Sequence, residues 1–343
     1  MRLRHPRDRA WALVQRSQLS RVGRLGADEG RPEQGSIVTA IVRAWLHVQL
    51  NSTDEEACHR FYVETFGLRE VMRTESLPVE DGTPFAIDGP MRSNTFFLYD
   101  VRGPRTTVGI EAQLWQTPAV HGEAYPNITH PGFQAVGLRV PDLDPVLAVA
   151  ETNGGTILRV VNEAVLADGG TRTAWLRDPD GILVEVVEAP GLDAPSNLHR
   201  HVLSTADFAA SLAFYETLGF TRVSIEKGVK AGAWAPEVPD NATADTAVLT
   251  LPGGGYSLLV IGWVDPVPQG RAYSSGNHRG LFRCALATDD IDAAMAQLSA
   301  GEQKIEYRGP YEFAMTGTKL PNLRVLFLTD PDGVTVEVVH RPM

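Results

Sequence analysis

Two hydrophobic rhythms alternate along this chain. Residues 42–50 read Val-Arg-Ala-Trp-Leu-His-Val-Gln-Leu. The period of two puts Leu46, Val48 and Leu50 on one face of a strand and Trp45, His47 and Gln49 on the other. Helical spacing follows, with Ala57, Phe61, Tyr62 and Phe66 behind Asp54 as N-cap and Gly67 as the stop. Apolar runs at 68–72, 95–98 and 107–114 supply three more strands, so the unit is β-α-β-β-β.

The rhythm then recurs. A strand at 133–140 leads to a helix capped by Asp142 and ended by Gly154-Gly155, with strands at 157–161, 173–177 and 182–187. A third unit opens at Leu198, with Asp207 capping a helix that closes at Gly219 and strands at 247–251 and 256–261. The fourth has a strand at 281–287, a helix at 290–299 and a last strand at 334–339. Odd units share Asp-x6-Phe-Tyr followed after four or three residues by Gly (Gly67, Gly219), with Phe61-Tyr62 and Phe214-Tyr215 spaced 153 positions apart. Even units share Asp-Pro-Asp-Gly-x3-Glu, with Glu185 and Glu337 spaced 152 apart. Asp-Pro-Asp-Gly is tight-turn chemistry: Pro fixes one φ, Gly takes a positive one and Asp accepts neighbouring amides. The buried, β-branched run behind it carries one carboxylate that needs a partner. Four copies of one supersecondary unit, paired two and two, is the expectation.

Length and composition narrow the function classes. The 343 residues can hold two domains, each with its own core. No apolar run approaches the roughly 18 residues of a membrane span, and a net charge of −11 argues against a broad nucleic-acid footprint. Cys58 and Cys284 have no metal or redox spacing and read as small buried residues in a reducing compartment. The expected protein is cytoplasmic, takes a small-molecule substrate rather than nucleic acid or membrane, and is open to homodimer formation. Residues 1–38 stand apart, with eight Arg against four acids and no apolar signal-peptide core; they read as a basic, disordered tail.

The alternation of an Asp-x6-Phe-Tyr helix closed by Gly with Asp-Pro-Asp-Gly-x3-Glu resembles the vicinal oxygen chelate superfamily over roughly residues 40–343. That superfamily includes glyoxalase I, fosfomycin and bleomycin resistance proteins, methylmalonyl-CoA epimerase and type I extradiol dioxygenases. The resemblance implies an α+β fold of four βαβββ modules paired into two glyoxalase-like domains with curved mixed sheets, residues 39–192 and 193–343. It also implies that paired modules can hold one divalent metal at four positions. Two lie in first strands, seven residues before the capping Asp, and two in last strands. In the N-terminal half these fall on His47, Glu111, Ala135 and Glu185, of which three can ligate. In the C-terminal half they fall on Arg200, Leu259, Arg283 and Glu337. Arg offers only donors, so Arg200 and Arg283 with Glu337 read as a buried ion pair or an anion pocket.

His47, Glu111 and Glu185 would suit one divalent ion, Fe²⁺, Mn²⁺, Ni²⁺, Co²⁺ or Zn²⁺, and leave positions open to substrate oxygens. No other cofactor is signalled; the Gly-rich stretch 252–255 reads as a hairpin turn. Glu185 or Glu111 would move a proton, and Trp45, Gln49, Gln113 and Arg139 would line the pocket. His199 and His201 alternate toward the helix side of their strand and are discounted as ligands. The leading expectation is a metal-dependent lyase, isomerase or epimerase that stabilises an enolate or related anion. The alternatives are an extradiol-type or other Fe(II) dioxygenase and, in another class, a drug-binding resistance protein without catalysis.

Overall fold

The computed structural model describes residues 40–342 apart from 76, 163–169, 302–303 and 316–321. The tail expected at 1–38 lies outside the described residues. Four modules appear in the expected order. The first comprises β1 (Ala44–Asn51), α1 (Glu55–Phe66), β2 (Arg69–Arg73), β3 (Leu77–Val79), β4 (Met91–Tyr99) and β5 (Gly109–Thr117). The second has β6 (Gly132–Val140), α2 (Leu143–Thr152), β7 (Thr156–Val161), β8 (Thr173–Arg177) and β9 (Leu183–Glu188). The third has β10 (Asn197–Thr205), α3 (Phe208–Leu218), β11 (Thr221–Lys230), β12 (Thr243–Thr250) and β13 (Ser257–Asp265). The fourth has β14 (Gly280–Thr288), α4 (Ile291–Ala300), β15 (Tyr307–Phe313), β16 (Leu323–Thr329) and β17 (Thr335–His340).

Each helix starts where a side chain can satisfy its first amides. Asp54 accepts from the Ala57 amide and Asp207 from that of Ala210, and Asp142 and Asp290 cap their helices likewise. Gly67 and Gly219 end α1 and α3 with φ of 67° and 115°, a region a side chain disfavours. Phe61, Tyr62, Phe214 and Tyr215 are buried in the main core between helices and sheets. Cys58 and Cys284 are free and buried. Among the described residues no helix is long and apolar enough to cross a membrane.

The pairing of modules differs from chain order. One sheet runs β15-β16-β17-β14-β1-β5-β4-β2, with β3 on β4, and so joins modules one and four. The other runs β11-β12-β13-β10-β6-β9-β8-β7 and joins modules two and three. The seams are the antiparallel pairs β1–β14 and β6–β10. The expected boundary near 192 falls between β9 and β10, yet both sheets are built across it.

Modules adjacent in sequence are joined instead through the shared turns. Asp178 Oδ1 accepts the amides of Asp180 and Ile182, and its Oδ2 accepts the Tyr62 hydroxyl at 2.9 Å. Asp180 accepts from the Ser52 hydroxyl and from the Thr53 amide and hydroxyl, just ahead of α1. The second repeat reproduces this with Tyr215 on Asp330 at 3.3 Å and the Ala206 amide on Asp332 at 3.1 Å. The two sequence signatures are therefore two sides of one contact.

Burial, aided by the Asp180 carboxylate, raises Asp178 to about 7 despite its three donors; burial and Asp332 raise Asp330 to about 7. A raised carboxyl binds its proton more tightly in the folded state, so its stabilisation is full below the unfolded value of about 4 and fades as pH rises toward 7. Urea midpoints should fall across that window, and the fall should shrink in Asp178→Asn/Asp330→Asn. The crossed seams carry a prediction of their own. Residues 39–192 made alone should elute as a dimer or larger species, because β1 and β6 then lack their antiparallel partners. Adding residues 193–343 should convert them to a 1:1 complex; a folded monomer of 39–192 would mean that modules one and two can pair with each other.

Candidate functional site

Because β1 lies between β14 and β5, its polar face meets residues from both ends of the chain. Gln49 pairs with Glu111 on β5 and with Arg283 on β14, while Ala285 of β14 pairs with Glu337 of β17. Four side chains converge. His47 Nε2 lies 3.0 Å from Glu111 Oε2 and 3.9 Å from Glu337 Oε2. Arg283 donates from Nε to Glu337 Oε2 at 2.7 Å, from Nη2 to both Glu111 oxygens at 3.2 and 3.3 Å, and from Nη1 to Gln49 Oε1 at 2.7 Å.

The guanidinium is held by its surroundings. Gln49 donates to Asn51 Oδ1 at 2.6 Å, which also accepts from Trp115 Nε1 at 2.8 Å. Asn51 in turn donates to the Gly276 and His278 carbonyls. Arg283 sits 5.2 Å from the Phe85 ring, and Phe97 packs edge-on against His47. Burial pushes the Glu111 carboxyl up, but the charges of Arg283 and His47 prevail and hold it down to about 2. Arg283 itself is held above its ordinary value by the two carboxylates, against burial.

The donor set suits a divalent cation, as one imidazole and two carboxylates face one region. His47 Nε2 is buried and has no aligned hydrogen-bond partner among the described residues, despite its approach to Glu111. Nitrogen and oxygen about 3 Å apart and off a hydrogen-bond line are spaced as neighbouring ligands with bonds of about 2.1 Å would be. Among the described residues no group of three or more His, Cys, Asp or Glu stands ready to hold a metal ion; Arg283 lies between the carboxylates and donates to both.

Glu185 is not part of this cluster. It lies on β9 in the other sheet, where Arg200 Nε and Nη2 donate to its two oxygens. The expected set His47, Glu111 and Glu185 is therefore not brought together: Glu337, not Glu185, lies beside His47 and Glu111, because β1 takes β14 rather than β6 as its neighbour. The expected trio of Arg200, Arg283 and Glu337 is likewise split between the sheets. Arg200 and Glu185 are each 1% exposed, and Gly137 makes room for them, since a Cβ there would stand 2.7 Å from Arg200 Cγ. The positions matching Glu111 and Arg283 are Leu259 and Ala135. They belong to an apolar cluster with Trp175, Trp234 and Trp263. The turn Ala231–Ala233 joins that cluster, and Arg159 donates to the Gly232 and Ala235 carbonyls at 2.6 Å.

Of the expected pocket residues, Gln49 is in the cluster. Gln113 lies two positions beyond Glu111 and donates to Ser93 at 2.9 Å. Trp45 is not beside His47, because β1 is bulged between them. The extra residue, Leu46, turns to the His47 side while Trp45 packs into the core against Phe220 and Tyr256. A matching register shift on β10 brings His199 to 4.0 Å from Glu185 rather than to the helix side, and His201 alone is in the core. Arg139 lines a cavity with His199 and Arg200, in the other sheet. Asn51 and Trp115 join the cluster as well, each continuing the alternation that selects His47 and Glu111.

A buried pair that loses one member leaves the other charge uncompensated. Arg200→Met alone should therefore cost about 3–5 kcal/mol in urea unfolding, whereas Arg200→Met with Glu185→Leu should recover most of it. A single variant no worse than the double would show the pair to be solvated.

The Glyoxalase/Bleomycin resistance protein/Dioxygenase superfamily model matches residues 45–186 and again 197–338. The uncharacterized protein YaeR of Escherichia coli K12 is 28% identical over 145 residues, 42% of this chain and 95% of that protein. Glyoxalase I from Zea mays superposes with a TM-score of 0.60 at 19% identity, covering 87% of this chain and 92% of the maize chain. A putative dioxygenase from Bacillus subtilis gives a TM-score of 0.56 at 12% identity, covering 87% of this chain and 85% of its own. At such identities the likeness is one of fold. The two family matches together span most of the sequence, and the chain belongs to the Glyoxalase/Bleomycin resistance protein/Dioxygenase superfamily, as a tandem of two repeats.

Proposed function

We propose that this chain is a metal-dependent enzyme acting on a small oxygen-chelating substrate, with its centre between modules one and four. The observation that carries this reading is the buried His47 Nε2, without an aligned hydrogen-bond partner and facing Glu111 and Glu337. These three side chains would hold one divalent ion, of the Fe²⁺, Mn²⁺, Ni²⁺, Co²⁺ or Zn²⁺ class. A bound ion would supply Lewis acidity toward a substrate oxygen.

The chain's own groups divide the remaining work. Glu111, kept ionised by Arg283, is fit to hold a cation and unfit to carry a proton near neutrality. Glu337 takes the proton-moving role expected of Glu185, its counterpart in the first repeat. Arg283, oriented by Gln49 and backed by Phe85, keeps one Nη1 N–H beyond its bonds to Glu337, Glu111 and Gln49, which would meet negative charge developing on an enolate-like oxygen. One imidazole and two carboxylates fit this lyase, isomerase or epimerase reading better than ring cleavage, for which the resemblance implies two His and one Glu.

Non-catalytic binding is the second reading, favoured by one observation: Arg283 already answers both carboxylates. Metal titration of the full chain separates the two. One divalent ion per chain is expected by elemental analysis. His47→Ala, Glu111→Gln and Glu337→Gln should each weaken it by more than the roughly 10–100-fold that loss of an outer-shell partner costs. Arg283→Met should tighten it, and Arg200→Met/Glu185→Leu should leave it unchanged. Uptake that ignores His47→Ala and Glu337→Gln would remove the metal-dependent reading and leave the binding one.

A further inference from the structure

A site that takes a substrate has to be reached, and the His47 cluster is nearly closed. Glu111, Arg283 and Glu337 are only 6%, 3% and 6% exposed. The strands that carry the cluster, β1, β5, β14 and β17, each have a neighbour on both sides and are fixed in their ladders. The wall outside any ladder is the turn Thr83–Phe85, in the loop that joins β3 to β4. Val79 pairs with Met91 at the base of that loop. The amides of the turn are satisfied within the loop itself: Gly82 donates to the Gly89 carbonyl, Phe85 to that of Gly82 and Ala86 to that of Thr83. The turn can swing about its base without losing these bonds.

In the closed position Phe85 lies over the Arg283 guanidinium and against Phe313 and Phe327. Two contacts hold it there. Arg308, on β15, stacks on Phe327 and donates from Nη1 to the Thr83 carbonyl at 3.0 Å. The Phe85 carbonyl rests on Gly276, where a Cβ would stand 2.0 Å from the oxygen. Gly276 does not have a positive φ, so the glycine is there for space. Asn51 holds the Gly276 carbonyl at 2.8 Å, which makes this seat part of the cluster's own hydrogen-bond chain.

The second repeat has the same device in a locked form. Ala231–Ala233 takes the corresponding place ahead of β12, and Arg159 pairs with Trp175 as Arg308 pairs with Phe327. Arg159 donates twice, to the Gly232 and Ala235 carbonyls, where Arg308 donates once. Trp234 is buried and stacked on Trp175, whereas Phe85 is half-buried. Ser204 donates to the Ile128 carbonyl as Asn51 does to that of Gly276, so a buried side chain stands where the first repeat has its seat.

From this we infer that Thr83–Ile87 is a gate over the His47 cluster, with Phe85 as its leaf, Arg308 as its latch and Gly276 as its seat. The inference rests on that cluster being the site a substrate reaches. Opening the turn lifts Phe85 from Arg283 and admits a molecule to the two carboxylates and His47; closing it shuts water out.

Labelling of His47 by diethyl pyrocarbonate, read by peptide mass spectrometry on the full chain without added metal, tests this. Arg308→Met and Gly276→Ala should each speed it by about tenfold, the weight of one hydrogen bond, while Arg308→Lys, which can still donate to Thr83, should stay within about threefold of the unaltered chain. His199, beside Glu185 in the other sheet, is the control and should not respond. His47 labelling unmoved by both variants, or His199 speeding up with it, would overturn the inference. Binding of Co²⁺ to the same proteins separates gate from metal. A chain that takes no Co²⁺ but shows the labelling pattern loses the metal-dependent reading and keeps the gate; Co²⁺ held with His47 labelling unmoved does the reverse.

Discussion

The antiparallel seam between β1 and β14 decides which side chains in this molecule can meet. Backbone hydrogen bonds fix register, and register fixes which side chains share a face. Once Gln49 lies opposite Arg283, the ligand-type residues of module one share a surface with module four. Glu185 is carried into the other sheet by the matching seam between β6 and β10. No local property of Glu185 or Glu337 separates the two: both follow an Asp-Pro-Asp-Gly turn and both sit in β-branched strands.

The cross-pairing also accounts for the unequal fates of the two concave faces. One gathers His47, Glu111, Arg283 and Glu337, two anions with a fixed cation and a titratable ring. The other gathers Arg200, Glu185, Ala135 and Leu259, a single ion pair set against aliphatic neighbours. Enclosing a lone ion pair costs desolvation that only close geometry offsets, and here Arg200 meets both Glu185 oxygens. The Ala231–Ala233 turn and its tryptophans provide that enclosure. On the first face the His47 side chain keeps 14% of its surface open.

Much of this was legible before any coordinates. Asp54, Asp142, Asp207 and Asp290 announce four helices because an N-cap needs a short acceptor at one position. The repeat names the residues of both clusters but divides them differently, grouping Glu185 with His47 and Glu337 with Arg200. What remained hidden was the choice of partner. All four first strands present similar apolar faces and unpaired edges, so pairing one with two or one with four satisfies the same periodicity. That choice rests on long-range closure, which has no local signature. The bulges were hidden for a related reason. An extra residue at Leu46 reverses the face of Trp45 relative to His47, and an unbroken alternation of residue types gives no sign of it.

Two kinds of joint tie the modules into a ring. Sheet seams join one to four and two to three. The turn contacts, Tyr62 with Asp178 and Tyr215 with Asp330, join one to two and three to four. Each module therefore has one neighbour through backbone ladders and another through a buried polar contact, and residues 39–343 form one compact unit. Opening any joint leaves the chain connected but lets a seam slip, and a slip of one residue would carry His47 away from Glu337. The signatures that identify the family lie at the turn joints, whereas the His47 and Arg200 clusters lie at the sheet seams. A repeat that preserved its turns could thus convert one seam to a packed core and keep the other polar without losing the fold.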